Sequence, residues 1–164
     1  MAMTDLGPAE RFAGGAIGEP GHRTFHIQVV IDGETLNFPC EKQEMAALAT
    51  QSLELLELGV IELDDEVVAT IAATGLELVD IDGEVFRVGG IRIGVLESGL
   101  ISIELDPTEE GADGVRFLVS PEQLKAMSLI ALRVVEAGRP ICPRCQLPED
   151  PEGHRCPAVN GNHR

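Results

Sequence analysis

Residues 24–59, "TFHIQVVIDGETLNFPCEKQEMAALATQSLELLELG", change their apolar period once, and that change decides the fold class. From Thr24 to Ile31 the period is two. Phe25, Ile27, Val29 and Ile31 alternate with Thr24, His26, Gln28 and Val30, the pattern of a half-buried strand. Asp32-Gly33 follows, a pair that tolerates the positive φ angles of a type I′ turn. Leu36, Phe38 and Cys40 then carry the apolar face of a return strand. Beyond Pro39 the spacing lengthens to three and four. Met45, Leu48 and Leu55 with their neighbours form a helical stripe over 41–59, and Gly59 is the expected C-terminal stop.

Upstream, "RFAGGAIG" at 11–18 reads as a further strand joined through Glu19-Pro20-Gly21, with residues 1–10 a flexible terminus. Residues 60–80 are ambiguous. "DDEVVATIAATG" (64–75) fits a short helix, and "LELVDIDGEVFRV" (76–88) fits a hairpin turning at Asp82-Gly83. Strands return over "FRVGGIRIGVLE" (86–97), "LISIELD" (100–106) and "VRFLV" (115–119). The helix "SPEQLKAMSLIALRVVEAG" (120–138) has Ser120 as N-cap, Pro121 at N1 and Gln123 to complete a capping box.

The chain therefore reads as α+β: a mostly antiparallel sheet with helices on one face. Its halves are alike, each running from a Phe and a Gly-Gly pair through three strands to one helix. We read them as a βββα duplication, repeats 11–59 and 84–138 with a connector at 60–83, followed by a distinct tail at 139–164.

Composition narrows the partners. The net charge is −16: residues 1–138 carry 8 Lys/Arg against 25 Asp/Glu, and residues 139–164 carry 4 Arg against 3 acids. A body this acidic repels phosphate backbones and anionic lipid, so neither nucleic acid nor a membrane is an expected partner. With no Trp and no Tyr, the chain also lacks the usual stacking platforms for single strands. No apolar run of about 18 residues occurs, and the first residues lack a signal-peptide pattern, so a cytoplasmic location is expected.

That compartment bears on the tail, "GRPICPRCQLPEDPEGHRCPAVNG" (138–161). Disulfides are rare where thiols are kept reduced. Cys142 and Cys145 form a CxxC, and His154 and Cys156 follow a loop later, a closed four-ligand set of tetrahedral zinc type. Five prolines and few large apolar residues leave the segment little burial to offset its ordering entropy, so a metal is the natural staple. A thioredoxin-like role would place the CxxC at a helix start after a strand, whereas here it follows a helix. A closed set leaves no open position for substrate, so the zinc is read as structural.

Other candidates are weaker. Cys40 on the apolar strand face reads as a small core hydrophobe. His22 and His26 read as a solvated strand face. "ELDDE" at 62–66 lacks the EF-hand pattern. No GxGxxG, P-loop, GxSxG or HExxH motif is present, and no catalytic residue is assigned.

Taken together, "RFAGGAIGEPGHRTFHIQ" (11–28), "EKQ" (41–43), "FRVGG" (86–90) and the Cys/His tail resemble the domain-of-unknown-function 3090 family, actinobacterial proteins also labelled uncharacterised repeat proteins. The resemblance spans nearly the whole chain and implies an internal repeat and a C-terminal Cys/His motif, with no activity attached. Arg23, Gln28, Glu41, Lys42 and Gln43 match it, as do Cys142, Cys145, His154 and Cys156. Gln146 and Ala158 depart from it, standing where glycine and a basic residue are usual.

Two functions follow. One is a non-enzymatic binding or adaptor protein with a zinc-stapled tail that docks a protein partner or caps the sheet. The other is an enzyme or binding protein for a small anionic metabolite, using Arg23, Gln28, Lys42, Arg87 and Arg92. Cations are scarce in this body, so a cluster of them in one concavity would favour an anionic ligand. Scattered cations beside an exposed apolar patch would favour the adaptor.

Overall fold

The computed structural model describes residues 2–19, 21–59, 61–81 and 83–137. The elements run β1 (Met3–Pro8), β2 (Arg11–Ile17), β3 (Thr24–Ile31), β4 (Glu34–Cys40), α1 (Lys42–Glu57), α2 (Asp65–Ala73), β5 (Val88–Val95), β6 (Ile101–Pro107), β7 (Gly114–Val119) and α3 (Pro121–Ala137). The fold is α+β with two sheets where the sequence suggests one. β2-β3-β4 is wholly antiparallel, and β1-β7-β6-β5 is antiparallel apart from the parallel β1–β7 pair.

The order three strands then helix occurs twice, over β2 to α1 and over β5 to α3. At the first turn Asp32 and Gly33 have φ of 51° and 75°, the left-handed pair that a type I′ turn demands. The Ser120–Gln123 capping box opens α3: Gln123 N–H donates to Ser120 Oγ at 3.0 Å and Ser120 N–H to Gln123 Oε1 at 2.8 Å.

Residues 2–10 are not a loose end. The chain passes from β1 into β2 through Ala9, whose N–H bonds Leu118 in one sheet, and Glu10, whose N–H bonds Val30 in the other. One extended run thus belongs to both sheets. Its polar sequence hides this, because β1 gains stability from a ladder with distant β7 and not from an apolar face of its own.

The core lies where the sheets meet the helices. Phe12 of β2 meets Phe117 of β7 edge to face, with ring centroids 5.5 Å apart. Around them pack Ile27, Val29, Phe38, Ile101, Ile103 and Leu105, with Met45 and Leu48 of α1 and Leu124 and Met127 of α3. α3 packs on β2 and on α1, with α2 against α3. A Cβ on Gly14 would come within 2.8 Å of the Met45 sulfur and 3.3 Å of Ala131, so β2 has room for nothing larger beneath the helices.

The opposite face of β2-β3-β4 is covered too, and by an unexpected element. Among the described residues of 76–87 no two strands pair as a hairpin. The described residues 76–81 and 83–87 lie against the sheet instead, with an isolated parallel Asn37–Glu84 bridge to β4 and a Val85 N–H donated to the Asn37 carbonyl. β3 is therefore buried on both sides. His26, which alternation alone places in solvent, is 4 % exposed, and Gln28 is wholly buried.

Candidate functional site

The hairpin register builds the first part of the site. β3 and β4 pair Phe25 with Cys40, and two residues beyond that pair the chain reaches Arg23 on one side and Lys42 on the other. Residues 84–87, running beside β4, deliver Arg87 to the same corner. Together Gly21, Arg23, Thr24, Phe25, Cys40, Glu41, Lys42 and Arg87 line a cleft of about 300 Å³.

Each cation is positioned differently. The Arg23 guanidinium lies 4.9 Å from the Phe25 ring centroid and donates to the Val134 carbonyl in the last turn of α3. Arg87 pairs with the Glu41 carboxylate. Lys42 is the first residue of α1 and makes no ion pair among the described residues. Glu41 N-caps α1 through a capping box with Glu44, accepting at its side chain from the Glu44 N–H while its own N–H donates to Glu44 Oε1 at 2.8 Å. The amides of Lys42 and Gln43 belong to the opening turn, whose N–H groups have no partner inside the helix.

Cys40 at the cleft floor is 2 % exposed. Burial, aided by Glu44, pushes its thiol up to about 12 against the opposing pull of Arg87. It stays protonated at neutral pH and offers no thiolate nucleophile.

Gln28 lies elsewhere, on the opposite face of β3, and its amide is fully used. Its Oε1 accepts from Arg11 Nη1 at 3.1 Å and from the Val79 N–H at 3.0 Å. Its Nε2 donates to Asn37 Oδ1 at 2.7 Å and to the Val79 carbonyl. Asn37 Nδ2 in turn donates to the Asp80 carbonyl at 2.8 Å, and Arg11 Nη2 to the Glu77 carbonyl. These three side chains replace a backbone ladder and clamp residues 77–80 to the sheet. Leu76, just before the clamped stretch, and Asp80, at its end, have φ of 44° and 43°, left-handed angles unfavourable for such side chains.

Arg92 is also apart. On β5 it pairs with Glu104 at 2.9 Å and with Asp106. In register, Arg92, Glu104 of β6, Arg116 of β7 and Asp5 of β1 form a row of alternating charge across the four-stranded sheet. Such cross-strand pairs support a sheet.

Of the five residues read from sequence as ligand-binding, the structure brings Arg23, Lys42 and Arg87 together and sets Gln28 and Arg92 in other surroundings. Glu41, which sequence reasoning grouped with Arg23 and Lys42, also lines the cleft, whereas Arg11 and Asn37 were missed as partners of Gln28. The type I′ turn held the signal for Arg23 and Lys42, since it fixes the register that makes them opposite. Cys142, Cys145, His154 and Cys156 lie outside the described residues. Among the described residues no group of three or more His, Cys, Asp and Glu is placed to hold a metal ion, and no helix is long and apolar enough to cross a membrane.

No curated protein and no solved structure matches the chain. One family model does, that described as "Protein of unknown function (DUF3090)", over residues 5–156. The match covers nearly the whole length, and the chain belongs to the DUF3090 family.

Proposed function

We propose that this protein is a binding module for a small anionic ligand, held between Arg23, Lys42 and Arg87 at the start of α1. The observation carrying this reading is that three of the eight cationic side chains of residues 1–138 line one cleft, in a body holding 25 carboxylates. Charge-assisted donors recognise carboxylate or phosphate well, and opening-turn amides add to them. Glu41 acts as a resident anion on Arg87, and a ligand must compete with it. The buried, protonated Cys40 suits a binding role better than covalent catalysis.

The test is titration calorimetry with inorganic phosphate, pyrophosphate and a nucleoside monophosphate. One of these is expected to saturate a single site. Arg87→Ala or Lys42→Ala should weaken it about tenfold, the loss of one charge-assisted contact. Glu41→Gln should tighten it, and Arg92→Ala should leave it unchanged. Equal losses from Arg87→Ala and Arg92→Ala would reduce the effect to general charge and end the reading.

The same proposal keeps the chain cytoplasmic and assigns a structural zinc to Cys142, Cys145, His154 and Cys156, supported by their spacing. Metal analysis of purified protein should find one zinc per chain, lost in Cys145→Ser. Metal-free protein purified under reducing conditions would refute it. A protein partner is the second reading, favoured by Val79, Ile81 and Val85, which stand 44 %, 40 % and 43 % exposed between α2 and β5. It includes the βββα duplication, which twice supplies the same strand order.

A further inference from the structure

β2 is an edge strand. It pairs with β3 alone, and no other backbone hydrogen bond reaches Phe12–Ile17 among the described residues. Sheet edges in native proteins are normally covered or blunted, because unpaired amides and carbonyls invite pairing. This edge is neither short nor charged: "FAGGAI" carries no ionisable side chain.

Beside it lies a groove of about 410 Å³, distinct from the cation cleft. Its walls come from both faces of the sheet. Leu76, Leu78 and Ile81 of the connector line one side, and Ile130 and Val134 of α3 line the other. Gly14 and Gly15 form the floor, their missing side chains letting α3 and Leu78 close in from opposite directions. An apolar slot between two layers, with a strand edge at its base that is unpaired among the described residues, fits an extended peptide bearing one or two aliphatic side chains.

We propose that the occupant is this chain's own C-terminal segment, residues 138–164, with Ile141 and Leu147 seated in the groove. Reach supports it. α3 ends at Ala137, three residues past Val134 in the groove wall. At a rise of about 1.5 Å per residue that wall is only about 4.5 Å back along the helix. The four residues from Ala137 to Ile141 span up to about 13 Å when extended, enough to fold back onto Val134 and Ile130. Charge supports it as well. The segment after residue 138 carries a net +1 against −17 for the rest, and Arg139 and Arg144 flank Ile141 while Glu77 and Asp80 line the groove. Ile141, Leu147 and Val159 are the large aliphatic side chains of residues 139–164, and the groove gives two of them an apolar site.

The proposal is tested on the full-length chain by placing the photocrosslinker benzoylphenylalanine at position 141 and, separately, at 147. Irradiation of dilute monomer is expected to give intramolecular crosslinks to peptides spanning 12–17, 76–81 or 130–134. Hydrogen exchange then checks unmodified backbone. Amides of 12–17 and 76–81 should exchange at least tenfold faster in Ile141→Asp or Leu147→Asp, with β6 unchanged. Crosslinks to other regions overturn the proposal. So do crosslinks only between chains, which would make a second copy the occupant, or exchange at 12–17 indifferent to both substitutions. The substitutions at 141 and 147 leave Arg23, Lys42 and Arg87 in place, so the anion proposal stands or falls separately.

Discussion

Gln28 shows how much one buried amide organises. With both lone pairs and both protons engaged, its removal deprives the Val79 N–H and carbonyl of their side-chain partner and takes one partner each from Asn37 and Arg11. Gln28→Ala should cost about 3 kcal/mol in urea unfolding, whereas Arg92→Ala on the exposed sheet face should change stability far less. His26 gives a pH signature. Burial holds its imidazole below the ordinary 6.5, opposed by Glu84 and assisted by Arg87. The unfolded chain therefore takes up a proton more readily. The stabilising contribution is complete above about pH 6.5 and is lost as pH falls through the depressed folded value. Urea midpoints of wild type and His26→Asn should converge on acidification from pH 7.5 to 5.5, and a constant gap would contradict this. Neither residue's burial was legible, since strand alternation reports one face and is silent about a connector laid over the other.

At the scale of elements, legibility followed the locality of the cause. The β3–β4 turn, the α1 span and the Ser120 capping box rest on residues adjacent in sequence, and all were readable. The short helix at 64–75 resolved as α2, where the Asp64 side chain accepts from the N–H groups of Glu66 and Val67. Asp64→Ala should lower stability by about 1 kcal/mol, measured by thermal unfolding. What escaped depends on distant partners: β1 needs β7, and residues 76–87 need Arg11, Gln28 and Asn37. The candidate site divides in the same way. Arg23 and Lys42 follow from one local register, while Arg87 enters from outside the hairpin.

For the whole molecule, charge is the widest-ranging property. At −16 the carboxylates repel one another across the surface, a penalty that added salt screens. The melting temperature is expected to rise between 20 and 300 mM sodium chloride, and a fall would mean that attractive pairs dominate. The run from β1 into β2 also orders events during synthesis. β2, β3, β4 and α1 are complete early, so the first sheet can assemble while the ribosome is still working. β1 cannot: Met3 pairs with Gly114 and Pro8 with Leu118. β1, made before β2, is thus paired only after it, and a nascent chain stalled before β7 carries a β1 with no strand to join.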